Sequence, residues 1–81
     1  MRKLSKYMLK RKVVAWGWYG PNRIIIEFAD GKLALVDPLK REYSSIKAWN
    51  PFNRLHYLAH AKRSFHGRLE ELIERVARHA Q

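Results

Sequence analysis

Between Lys12 and Asp37 apolar and polar positions alternate with a period of two, and β-branched and aromatic residues gather in three short runs divided by turn residues. The pattern predicts antiparallel strands over Val13 to Tyr19, Arg23 to Ala29 and Lys32 to Asp37. Gly20-Pro21-Asn22 supplies the first turn, and Asp30-Gly31 reads as a two-residue hairpin in which both positions tolerate positive φ. On the second strand Ile24, Ile26 and Phe28 share a face opposite Arg23, Ile25 and Glu27, and on the third Leu33 and Leu35 oppose Lys32, Ala34 and Val36. The first strand leaves two assignments open, with either Val14, Trp16 and Trp18 or Val13, Ala15, Gly17 and Tyr19 pointing inward.

After this meander the period lengthens. Pro38 ends the third strand because it cannot donate to a ladder, and Leu39 to Lys47 reads as a mixed connection with room for a helical turn. Asn50-Pro51 marks a helix start, with Asn as the cap and Pro at the first helical position. Beyond it Leu55, Leu58, Lys62, Phe65, Leu69, Leu72, Val76 and His79 recur at steps of three and four, a stripe that predicts one long helix or two short ones split at Gly67. The stripe is read as core or as the seam of a homodimer. Glu71 to Arg75 and Glu74 to Arg78 are i, i+4 pairs in the favourable order. At the other end Leu4, Tyr7, Met8 and Arg11 share helical spacing within residues 1–12, which form a short amphipathic helix or a basic arm that orders on binding.

These elements make one small α+β domain. It has a basic arm or helix at 1–12, a three-stranded β-meander at 13–37 and a helical region at 50–80, with the helices expected on one face of the sheet. With 81 residues the core is thin, and no cysteine is present to staple it or to supply a thiol nucleophile or zinc thiolate. The apolar residues near the N-terminus are interrupted by Ser5, Lys6 and Lys10, so neither a signal-peptide core nor a membrane span is expected, and the expected location is cytoplasmic.

Charge changes the picture most. Seventeen Lys and Arg face seven Asp and Glu, a net charge of +10. Charge of that size acts on partners rather than on fold, and it favours polyanions. Two basic blocks supply the candidate contacts: Lys3, Lys6, Lys10, Arg11 and Lys12 near the N-terminus, and Arg54, Lys62, Arg63 and Arg68 in the stretch between Glu42 and Glu70, which contains no acid. Such segregation suits phosphate contacts. Trp16 and Trp18 either fill the core or stack on unpaired bases. The expected function is therefore non-catalytic nucleic-acid binding through these eleven residues. If about five phosphates of a duplex were neutralised, affinity would fall by a few hundred-fold between about 50 and 200 mM salt. The alternative is a small inhibitor or accessory factor that docks on an acidic protein surface, with aromatic anchors.

Other chemistry finds less support. His56 and His60 lie one helical turn apart, but no adjacent acid supplies the HExxH pattern, so neither a metal nor a cofactor is expected. A small basic ribonuclease would need a set such as His66, Arg63, Tyr57 and Glu42, and no spacing ties these together.

Overall fold

A computed structural model describes residues 1–47 and 51–79 of the chain. The elements run β1 (Arg2–Lys3), α1 (Lys6–Leu9), β2 (Lys12–Trp18), β3 (Ile24–Phe28), β4 (Leu33–Asp37), β5 (Glu42–Ile46), α2 (Pro51–Leu58), β6 (Arg63–Arg68) and α3 (Leu69–His79). All strand pairings are antiparallel, in one six-stranded sheet of order β1-β5-β4-β3-β2-β6. The α+β class is as the sequence indicates. The expected meander is its centre, β2 to β4, displaced from the predicted bounds by about a residue at each end.

Three strands lie outside the expected meander: β1 within the segment read as a helix or basic arm, of which only Lys6–Leu9 is helical, and β5 and β6, which were hidden from the periodicity. β5 lies in the stretch read as a mixed connection: Asp37 turns the chain by accepting the backbone N–H groups of Leu39 and Lys40 at 3.1 and 3.0 Å, and Arg41 takes φ 55° to complete the reversal. The pair of serines in Glu-Tyr-Ser-Ser-Ile gives β5 little strand character of its own, and pairing with β4 decides it. β6 corrects the helical stripe. Residues 63–68 pair with β2 instead of continuing a helix, so α2 and α3 are separated by a strand. Arg-Ser-Phe-His-Gly-Arg is a poor helix segment, and as a strand it buries Phe65 in the core while covering the flank of β2. Asn50, expected as the cap of α2, and Trp49 lie outside the described residues, as does the His79 side chain at the end of the stripe.

The ambiguity of β2 is resolved by a bulge. Val13 pairs with Phe28 but Ala15 with Glu27, so Val14 is the extra residue and the alternation changes phase there. Val13, Trp16 and Trp18 consequently share a face, which neither simple assignment allowed. That face also carries Ile24, Ile26, Phe28, Ala34 and Val36, and is covered by Met8 of α1 and by Leu69, Leu72, Ile73 and Val76 of α3. The apolar stripe of α3 is thus spent on its own sheet. Glu71 Oε1 accepts the Arg68 backbone N–H at 3.1 Å, and with Glu70 it places negative charge at the helix N-terminus.

The opposite face is apolar as well. Ile25 and Leu33 are buried there and Leu35 half-buried, which is why helices cover both faces rather than one. α2 and its exit lie on this side: the His60 carbonyl oxygen would be 1.5 Å from a Cβ at Gly17, so only glycine fits beneath it. Arg54 donates to the Gly31 carbonyl at 2.9 Å and stands 3.8 Å from Glu27, tying α2 to the β3–β4 hairpin. That hairpin also departs from the expected two-residue form. Phe28 N–H bonds to the Lys32 carbonyl and Gly31 N–H to the Phe28 carbonyl, both at 2.9 Å, making a three-residue loop in which Gly31 alone takes positive φ, +87°.

Candidate nucleic-acid interface

The sheet ends on β6, which joins the sheet only through β2 among the described residues. Its register fixes the neighbours along this edge: Lys12 faces Arg68, Val13 faces Gly67, Ala15 faces Ser64 and Trp16 faces Arg63. Lys12 to Trp18 spans roughly 20 Å at the rise of an extended strand. One end thus holds two opposed cations, and the other holds a cation beside a pair of tryptophans.

The tryptophans have different roles. Trp16 is 8% exposed and belongs to the core, so it is closed to a stacking base. Trp18 is 38% exposed and meets the Trp16 ring edge-on, with centroids 6.1 Å apart and planes at 70°. Arg63 lies over the other ring, its guanidinium carbon 5.2 Å from the Trp16 centroid. Trp16 therefore acts as a rigid backing for the exposed Trp18 and the exposed Arg63. Lys62 is exposed next to it in the chain.

The sequence-nominated cations divide into three groups. Lys12, Lys62, Arg63 and Arg68 lie on or beside the β2–β6 edge, and Lys6 and Lys10 are exposed on α1 and at its end, leading into β2. Arg68 approaches Glu70 only at 3.9 Å between exposed groups, a weak pairing. Arg11 and Arg54 are committed to the fold. Arg11 binds Asp30 at 2.8 Å and lies 3.8 Å over the Phe28 ring, while Arg54 holds the hairpin as described. Lys3 stands apart. It faces Glu42 on β1, at the far side of the sheet, five strand spacings or roughly 24 Å from β6.

Asp30 shows how the fold uses its few acids. Its carboxylate accepts the Lys32 backbone N–H at 3.0 Å, and this bond, helped by the positive charges of Arg11 and Lys32, holds its pKa below the ordinary aspartate value.

At the β2–β3 turn the structure assembles a group the sequence did not nominate. Tyr19, one residue beyond Trp18 and on the α2 side of the sheet, packs against His56, Tyr57 and His60 with ring centroids 6.1, 5.7 and 5.0 Å away. Tyr19 Oη and His56 Nε2 share a hydrogen bond at 3.3 Å, and the two imidazole centroids are 5.3 Å apart. The i, i+4 histidine spacing was the legible half of this cluster; the tyrosine comes from 37 residues away. Among the described residues no three His, Cys, Asp or Glu side chains converge as metal ligands. The set His66, Arg63, Tyr57 and Glu42 is not brought together, since β5 and β6 are separated by three strands. A recess of about 540 Å³ lined by Met1, Arg2, Tyr43, Ser44, Ser45 and Lys47 gathers none of the nominated residues.

No protein-family model, curated protein or solved structure matches this chain. Among the described residues no helix is long and apolar enough to cross a membrane.

Proposed function

We propose that the chain binds single-stranded nucleic acid along the β2–β6 edge. The observation that carries the reading is the composition of that edge: exposed Trp18 backed by Trp16 and Arg63 at one end, Lys12 opposite Arg68 at the other. Like charges directly across a strand pair destabilise a sheet, and a phosphate lying between them reverses that sign. A strand of nucleic acid following the edge would meet Lys10, Lys12 and Arg68, then Arg63 and Lys62, with an unpaired base on Trp18. Stacking on an exposed aromatic needs an unpaired base, which favours single strands over duplex.

Substitution tests the placement. Trp18→Ala should weaken binding to a short oligouridylate by roughly 5- to 150-fold, the equivalent of about 1–3 kcal/mol for one stacked base. Lys3→Ala, across the sheet, should leave affinity unchanged. Equal losses from both would refute an interface on this edge.

A second reading attaches to the other face. Phe52 and Leu55 of α2 are 78% and 63% exposed and share a helix side, an apolar pair of the kind that anchors a protein partner with an acidic rim against this cationic chain. Leu55→Ser separates the readings, because an α2 surface should respond to it and not to Trp18→Ala.

A further inference from the structure

We propose that the Tyr19–His56–His60 cluster cleaves RNA by metal-independent transfer of the phosphoryl group to the neighbouring 2′-oxygen. The inference rests on the nucleic-acid reading and adds a reaction to it. Trp18 and Tyr19 are consecutive at the end of β2, where side chains alternate between faces, so the base-stacking ring and the imidazole pair flank the same strand terminus. The exit of α2 runs from His60 directly into Lys62 and Arg63, and the His60 carbonyl rests on Gly17, which fixes this path over β2. Trp18 and Arg63 face the α3 side and the histidines the α2 side, so an RNA strand held on Trp18 reaches both histidines by turning around the end of β2. Tyr19 also lines a recess of about 380 Å³ with Gly20, Pro21, Asn22 and Arg23, largely apolar and carrying one cation.

The chemistry needs one neutral and one protonated imidazole within reach of a single phosphodiester. His56 and His60, both exposed, have ring centroids 5.3 Å apart. In the tautomer in which His56 Nε2–H donates to Tyr19 Oη, Nδ1 carries the free lone pair and is the base. His56 Nδ1 takes the proton from the 2′-hydroxyl, the 2′-oxygen forms a bond to phosphorus, the bond from phosphorus to the 5′-oxygen breaks, and protonated His60 gives its proton to that oxygen. The products are a 2′,3′-cyclic phosphate and a 5′-hydroxyl, with no water, metal or redox partner consumed. Arg23 lines the recess that Tyr19 shares and Lys62 follows His60 by two residues; these are the cations assigned to the developing negative oxygens. His56 and His60 are the catalytic residues, and Tyr19 is a positioning residue. Among the described residues, the titratable rings packed against the two imidazoles are Tyr19, just beyond β2, and Tyr57 of α2.

The test incubates the full chain with a labelled single-stranded RNA and with the same sequence as DNA, in the presence of EDTA, from pH 5 to 8. Cleavage of RNA alone, ends bearing 2′,3′-cyclic phosphate and a bell-shaped pH profile are expected. His56→Gln and His60→Gln should each lower the rate by about 100-fold or more. Tyr19→Phe should lower it less and shift the acidic limb of the profile, where the base His56 is lost to protonation, a change that a purely structural role would not produce. RNA that is bound but stays intact would overturn the cleavage proposal and leave the binding reading standing, as would cleavage undiminished in both histidine variants or equal cleavage of DNA. Failure to bind RNA at low salt would overturn both.

Discussion

Gly17 carries the packing of α2 on the sheet, and replacing it with alanine gives the sharpest test of the three-layer arrangement. A Cβ at this position would lie 1.5 Å from the His60 carbonyl oxygen and 2.6 Å from its carbonyl carbon. Both atoms are backbone, so no rotamer change relieves the contact. The exit of α2 would have to rise by at least about 1.5 Å, drawing the imidazoles away from Tyr19 and loading the Arg54 bonds to the hairpin. Overpacking of a rigid contact costs about 3 kcal/mol, while exchanging glycine for alanine in a strand returns about 0.5–1 kcal/mol. The net loss is about 2 kcal/mol. For a domain of this size that lowers Tm by roughly 8–16 °C. Thermal melts followed by far-ultraviolet circular dichroism read it directly. Gly20→Ala is the control, because Gly20 has φ +83° but nothing within 4 Å, so its change registers backbone strain alone, about 1 kcal/mol. A Gly17→Ala variant that melts within about 2 °C of the parent would refute the placement of α2 against β2.

Two further outcomes follow from the core and from the acidic turn. Ile26 is fully buried between β3 and α3, and Ile26→Ala should cost about 2–5 kcal/mol in urea unfolding; a loss below 1 kcal/mol would mean that α3 does not cover that face. Asp30 has a folded pKa below its unfolded one, so its contribution to stability is complete above the unfolded value and disappears as pH falls through the folded value; Asp30→Asn should flatten the stability profile below about pH 4, and an unchanged acid limb would contradict the role of the Lys32 amide and Arg11.

The central meander was legible because β2 to β4 have strong β-formers and clear turns. The face of β2 was not legible, since one bulge at Val14 inverts the phase of everything before it and leaves no mark on composition. β6 was masked for a different reason. Lys62, Phe65 and Leu69 continue a three-four spacing by coincidence, and only the unpaired flank of β2 recruits residues 63–68 into the sheet. Of the candidate interface, charge and aromatics were visible as residue types but their sorting was not. Arg11 and Arg54 look like Arg63 in sequence, yet each meets a carboxylate brought from another element, Asp30 and Glu27. Tyr19 joined the histidines only through the folding of α2 onto the second apolar face, whose residues Ile25, Leu33 and Leu35 lie between those of the first.

The proposed edge neutralises phosphates while stacking one base, and a salt titration tests both parts at once. Binding of oligouridylate is followed by anisotropy and by tryptophan fluorescence between about 50 and 200 mM salt. With about five phosphates contacted by Lys10, Lys12, Lys62, Arg63 and Arg68, affinity should fall by about a hundred-fold over that range, with quenching that disappears in Trp18→Ala. Affinity that is flat with salt, or quenching that persists without Trp18, would contradict it.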